Sequence, residues 1–231
     1  MGLALVGIAQ PVIYDATADF TPDLPNPNGV WSYGYTTDLS TALIPLANYT
    51  TSIGTIPPGD AFGWFTDVSL RVPTIFKYIA ATPGFGLAAG QLVLHPGPTS
   101  EFAVLAFTAP AAGQYVLNAQ FFAGDSGGTD ATIVLNGNTA SPVVYFPDTG
   151  VSPMFTGSLA LAQGDQVRFA VGNAGSFIAD STPLTATLTF SPIPEPGASA
   201  LLLGLGGIAA TLACRRQRRP FLETNPRITF D

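Results

Sequence analysis

Charge is what this 231-residue chain has least of: Asp, Glu, Lys and Arg together make up 10% of it, against about 25% in ordinary soluble domains. Bases are scarcest. Ahead of Pro194 there are twelve acidic residues and only Arg71, Lys77 and Arg168, a formal net of −9. Such a surface repels phosphate backbones and anionic headgroups, so nucleic acid is excluded as a partner. The chain has one cysteine, Cys214, and one histidine, His95. Together they cannot build a disulfide, a zinc cage or a thiol site. No P-loop or dinucleotide fingerprint occurs. A sustained helical period is also missing before residue 190, and no Lys or Arg precedes the apolar residues 2–9.

What is present before residue 190 is strand and turn. Tyr115, Leu117, Ala119 and Phe121 alternate with Val116, Asn118 and Gln120. The same two-residue period runs through residues 131–135, 166–171 and 184–190, giving each segment one dry and one wet face. Asn136-Gly137 follows the first of these as a hairpin signal. Residues 30–36, 62–66, 74–80, 91–94, 102–108 and 143–146 are further candidate strands. Many short strands at about ten-residue spacing predict an all-β fold, an antiparallel β-sandwich of jelly-roll type, over residues 10–190. With no disulfide, its stability must come from an apolar core, which 181 residues are enough to enclose.

The ends are of a different kind. Residues 2–9 read as the tail of a signal peptide whose upstream part is lacking, with Gly7-Ile8-Ala9 as a small-x-small cleavage site. A first strand of the domain is the competing reading. Residues 191–197 form a proline-rich stalk, and residues 198–214 are 17 uncharged residues carrying five leucines and Ile208. As a helix they rise about 25 Å, close to the hydrocarbon thickness of a bilayer. Apolar or small residues cover every face, so one transmembrane helix is expected. Arg215, Arg216, Arg218 and Arg219 end the run. A central Arg costs about 2.5–3.5 kcal/mol to insert, so the cluster acts as a stop-transfer signal and stays cytoplasmic with the basic tail, residues 215–231. The domain before it is then exported and anchored to the inner membrane.

At Pro194-Glu195-Pro196, the apolar helix and the arginine cluster, the chain resembles the PEP-CTERM sorting signal of Gram-negative bacteria. The resemblance implies processing at Pro194, Glu195 and Pro196 by an exosortase-type enzyme, with release to the cell surface or matrix and an association with exopolysaccharide. The family usually ends at the arginines; here residues 220–231 follow. Residues 26–35 (NPNGVWSYGY), 94–98 (LHPGP) and 124–130 (GDSGGTD) also resemble an exported β-domain of such proteins and, loosely, carbohydrate-binding jelly rolls.

Several residues are candidates for a site. Trp31, Tyr33 and Tyr35 share one strand face and, with Trp64, would form an aromatic platform for sugar rings. Buried, the same rings would be core. Asp125 and Asp130 would give a Ca²⁺ ion two of its six to eight oxygens; otherwise they are solvated turn carboxylates. No other cofactor is called for. Gly124-Asp125-Ser126-Gly127-Gly128 matches the nucleophile motif of chymotrypsin-like proteases, but His95 in Leu-His-Pro-Gly does not supply the expected base, so the motif reads as a polar hairpin loop. The expected role is a non-catalytic structural or glycan-binding module. A glycan-active hydrolase or lyase on the same sandwich, using carboxylates that meet only in space, is the alternative.

Overall fold

The computed structural model of the chain describes residues 10–192 other than 24, 67–70 and 127–128. These fall in the first of two units into which the chain divides, residues 1–192. The leader, sorting-motif, transmembrane and stop-transfer segments lie outside the described residues. Among the described residues no helix is long and apolar enough to cross a membrane.

Two antiparallel sheets face each other, as the alternating pattern requires. One sheet holds β1 (Val12–Asp15), β4 (Asn48–Thr50), β5 (Ala61–Phe65), β6 (Thr74–Tyr78), β7 (Leu92–His95), β9 (Gly113–Phe121), β12 (Met154–Leu161) and β14 (Thr182–Pro192). Its order is β12-β9-β14-β7-β6-β5-β4, with β1 beside the later half of β14, beyond where β7 leaves it. The other sheet is β11-β10-β13-β8-β2-β3, built from β2 (Trp31–Thr36), β3 (Ile44–Pro45), β8 (Phe102–Thr108), β10 (Ala131–Leu135), β11 (Val144–Phe146) and β13 (Gln166–Val171). From β7 to β10 successive strands change sheet each time, the crossing habit of a jelly-roll-type sandwich. A single turn of helix, α1 (Ala16–Asp19), follows β1, and the Asp15 carboxylate caps it by accepting from the Thr17 and Ala18 N–H groups.

The main core lies between the sheets. Phe107 sits at its centre with the rings of Trp31, Tyr14 and Tyr115 at 5.4, 5.2 and 5.7 Å, tilted or edge-on as aromatic quadrupoles prefer. Here the aromatic platform is corrected. Trp31 and Tyr33 are each 1% exposed, because β2 is paired on both sides and its i, i+2 face is the one closed by the opposite sheet. The Trp31 indole donates to Asp19 Oδ2 at 2.9 Å, and Phe20 meets Tyr33 edge-on at 4.9 Å. Tyr35 is half-buried against the same core, and Trp64 is on the other sheet, half-buried beside its cross-strand partner Tyr49. The four rings form no common surface.

A second, smaller core lies on the outer face of the larger sheet. Strand parity sends Ile75, Leu92 and Leu94 into the main core, whereas Phe76, Tyr78 and Val93 point outward. Ile53, Ile56 and Leu87, from the loops after β4 and β6, cover them.

Strands β1, β3, β4 and β12 were not anticipated. In β12 the inward residues Phe155, Gly157 and Leu159 alternate with Met154, Thr156 and Ser158, but a central inward glycine and the outward Met154 and Ala160 blunt the signal at this sheet edge. Asn136 and Gly137 both have positive φ, and Asn138 N–H donates to the Leu135 carbonyl at 2.9 Å, so the expected tight turn is there.

Candidate functional site

A cleft that joins aromatic walls to a few polar groups opens where the cover of the second core ends. Thr74 and His95 face each other across β6 and β7 as direct cross-strand partners. With Phe76 they line its sheet side, and their parity turns them outward, away from the main core. Ile53 and Ile56 line one side; Phe85, Asp125, Phe177 and Ile178 line the rest of a cavity of about 290 Å³.

Loop packing holds these walls in place. Phe85 has φ 55 and Gly86 φ 69. A Cβ on Gly86 would collide with the Gly124 carbonyl, and one on Gly124 with the Ser181 carbonyl. Three backbone segments therefore touch directly, and Asp125 N–H donates to the Ser181 carbonyl at 3.1 Å. The left-handed backbone at Phe85 is uncommon for a bulky residue and leaves the ring 40% exposed. Ile178 is 71% exposed. Ala179, also with positive φ, turns the chain between Ile178 and Asp180.

The polar groups are few and specific. His95 Nδ1 lies 2.8 Å from the Pro96 carbonyl. A carbonyl only accepts, so Nδ1 carries the proton and Nε2 of the neutral ring is left as an acceptor. Burial lowers the His95 pKa, so the ring is neutral at ordinary pH. Asp125 is the one carboxylate among the described residues lining the cleft. The usual glycoside hydrolase uses two facing carboxylates, and the described lining of this cleft presents one. Nor is there a serine-protease arrangement: the nitrogen that a triad would give to a carboxylate is given to Pro96, and Ser126 is exposed with its N–H on Asp125 Oδ1 at 2.8 Å.

Asp125 and Asp130, singled out in the sequence, lie in the field of a third carboxylate that was not. Asp180 precedes β14 and is 1% exposed, and neither of its carboxylate oxygens has a hydrogen-bond partner. Burial, reinforced by Asp125 and then Asp130, pushes its pKa up to about 7. The hydroxyls of Thr129, Thr149 and Thr182 form a buried chain beside it, and Thr182 Oγ1 donates to the Asp180 carbonyl at 3.3 Å.

Phe85, Phe177 and Ile178 also escaped the sequence reading. Their available signal was large apolar side chains set inside turn-rich stretches, Gly84-Phe85-Gly86 and Gly175-Ser176-Phe177-Ile178.

No family model and no curated protein matches the chain. Among solved structures, a family 35 carbohydrate binding module from Clostridium thermocellum is similar at 17% identity and a TM-score of 0.32, over 80% of this chain and 100% of that one. The Podospora anserina GH26-CBM35 β-(1,4)-mannanase has the same identity and TM-score over 80% of this chain, which spans only 29% of the mannanase. The secreted serine protease VesC from Vibrio cholerae is similar at 11% identity and a TM-score of 0.33, over 57% of this chain and 33% of that one. At such identities and TM-scores these likenesses carry nothing about ligand or activity.

Proposed function

We propose that the β-sandwich is a non-catalytic glycan-binding module, exported and held at the membrane by its C-terminal segment. The observation that carries the binding reading is the cleft itself, with Phe85 and Phe177 on its walls and His95 and Asp125 as the titratable side chains among its described lining residues. Sugar rings present apolar C–H faces that stack on such aromatics, while their hydroxyls donate to a carboxylate and to a bare imidazole nitrogen. The acidic surface narrows the ligand to a neutral saccharide, because a polyanionic glycan would be repelled.

The measurement is calorimetric titration of the chain with neutral oligosaccharides, using the Phe85→Ala/Phe177→Ala double variant as comparison. Each stacked ring contributes about 0.5–1.5 kcal/mol, so the double variant should bind about 5- to 150-fold more weakly. Affinity equal to the unaltered chain would remove the cleft from the reading. Absence of binding to every neutral saccharide would favour a matrix subunit without a small ligand.

The proposal for the C-terminal segment rests on the sorting-signal resemblance. Pro194 and Pro196 favour an extended backbone, and Glu195 between them offers a carboxylate that a basic enzyme pocket can read. Glu195→Gln keeps size and prolines and removes the charge. In an exosortase-containing host, immunoblotting should show the full-length, membrane-bound precursor accumulating. Processing at the unaltered rate would reduce the tripeptide to a spacer and withdraw the sorting assignment. Release in that host would place the module in an exopolysaccharide matrix.

A further inference from the structure

Strand β12 is an edge that the fold leaves open. Among the described residues β9 is its one hydrogen-bonded neighbour strand. Phe121 N–H donates to the Pro153 carbonyl at 3.0 Å, so the odd-numbered residues of this segment direct their backbone groups to β9. Antiparallel alternation then turns the N–H and C=O groups of Met154, Thr156, Ser158 and Ala160 to the free side. Those four residues are exposed, Met154 at 67%. The other outer strands, β4, β11 and β3, are three, three and two residues long, and such shortness is one way a sheet avoids unwanted pairing. By contrast β12 runs for eight residues, MFTGSLAL, with no charge and no proline to blunt it. The surface beside it is uncharged as well. There β9 turns Gln114, Val116, Asn118 and Gln120 outward, and β14 turns Thr185, Thr187, Thr189 and Ser191. On a domain with a formal net of −9, this is a face where two copies can approach without setting carboxylate against carboxylate.

We propose that β12 pairs with the β12 of a second copy of this chain, antiparallel across a two-fold axis at Gly157. The strand is self-complementary in that register. Gly157 meets Gly157, Phe155 meets Leu159, Thr156 meets Ser158 and Met154 meets Ala160. Like faces like on both sides of the joined sheet. The inward pair of Phe155 and Leu159 extends the rim of the main core, where both are half-buried. The outward pair of Thr156 and Ser158 exchanges a hydroxyl hydrogen bond. Met154, Thr156, Ser158 and Ala160 each exchange an N–H and a C=O bond with the opposite residue. Gly157 takes the narrow, non-hydrogen-bonded position, where Cα atoms approach to about 4.5 Å, and it brings no side chain there. A two-residue slip either way opposes Gly157 to Phe155 or to Leu159 and loses the matching. An edge about 27 Å long and one sheet thick buries on the order of 500 Å² in total, below the roughly 1,200 Å² of a standard interface, so the dimer is weak.

The test needs no saccharide and so stands or falls apart from the glycan reading. The full chain is used in mild detergent, with Cys214→Ser so that no native thiol remains. One preparation adds Thr156→Cys and another Ser158→Cys, both at exposed positions. Mixed and oxidised by air with a copper catalyst, they should give a disulfide-linked dimer at least about fivefold more abundantly than either alone. Only unlike copies place the two thiols across one bonded pair, with Cα atoms about 5.5 Å apart. Sedimentation reads the free equilibrium. The unaltered chain should dimerise with a Kd between roughly 10 μM and 1 mM, and more tightly in about 0.5 M salt, which screens repulsion between acidic copies. Thr156→Lys/Ser158→Lys sets lysine against lysine and should weaken dimerisation about tenfold or more, as should Thr156→Glu/Ser158→Glu. An equimolar mixture of the two double variants should recover it. Both change outward side chains only, so Tm should stay within about 3 °C. The proposal is overturned by a chain that stays monomeric to about 1 mM, which would leave the edge to a strand of another protein. It is equally overturned by cross-linking no greater in the mixture than in either variant alone, which would be collisional. Dimerisation unmoved in both charged variants would overturn it too, placing the contact elsewhere, the apolar residues 198–214 included.

Discussion

Replacing Trp31 with Ala is expected to destabilise the sandwich by about 3–5 kcal/mol and to lower Tm by roughly 10 °C or more. The ring is enclosed between the sheets against Phe107, and its indole N–H satisfies Asp19. Truncation leaves a cavity and releases Asp19, which holds the α1 region to β2. Trp64→Ala should cost clearly less, because Trp64 is half-buried and keeps solvent on one side. Thermal melts of the two variants check the order. Saccharide affinity measured below both transitions should be unchanged in Trp31→Ala. Loss of saccharide binding at unaltered Tm would restore the aromatic platform and displace the cleft.

Arg168→Ala is expected to cost about 2–3 kcal/mol, read from denaturant unfolding with the slope unchanged. Arg168 lies on the outer face of β13 and is almost wholly covered. Its Nη1 donates to the Leu39 and Thr41 carbonyls at 2.7 Å each, and Nη2 donates to Gln166 Oε1 at 3.2 Å. The guanidinium thereby pins the β2–β3 connection to the sheet, where Leu39 joins Val104, Val134 and Ala170 in a small outer cluster. Removing it leaves the buried Leu39 carbonyl without its donor. Arg168→Met keeps the apolar stem, so the difference between the two variants separates packing from hydrogen bonding. Equal losses in both would assign the effect to the bonds; no loss in either would mean water replaces them fully.

Alternation made the sandwich legible. Residues 115–121, 166–171 and 184–190 have one apolar face each, and a period of two admits no helix. The turn at Asn136-Gly137 was equally plain, since both positions need positive φ. Strand β12 escaped because Gly157 interrupts its apolar face while Met154 and Ala160 put apolar side chains on the outward one, at an edge where one side of the strand needs no partner. The site was harder to read. Asp125 and Asp130 stand out as neighbours in a polar loop, but Asp180 is fifty residues further along and looks like any turn carboxylate. Phe85 and Phe177 are separated by almost the whole middle of the chain, and only the touching of Gly86, Gly124 and Ser181 brings their loops together.

By itself, then, the sequence determined ten of the fourteen strands, that the domain is acidic and held by packing rather than disulfides, and that its last forty residues follow a different pattern. Local periodicity and composition are enough for that, because each depends on residues a few positions apart. Which face of β2 is covered, and that Asp180 loses its water and every partner, only the tertiary structure decided. Both depend on which sheet closes over which residue. That is a matter of strand order and register, which a one-dimensional pattern of apolar and polar residues leaves open.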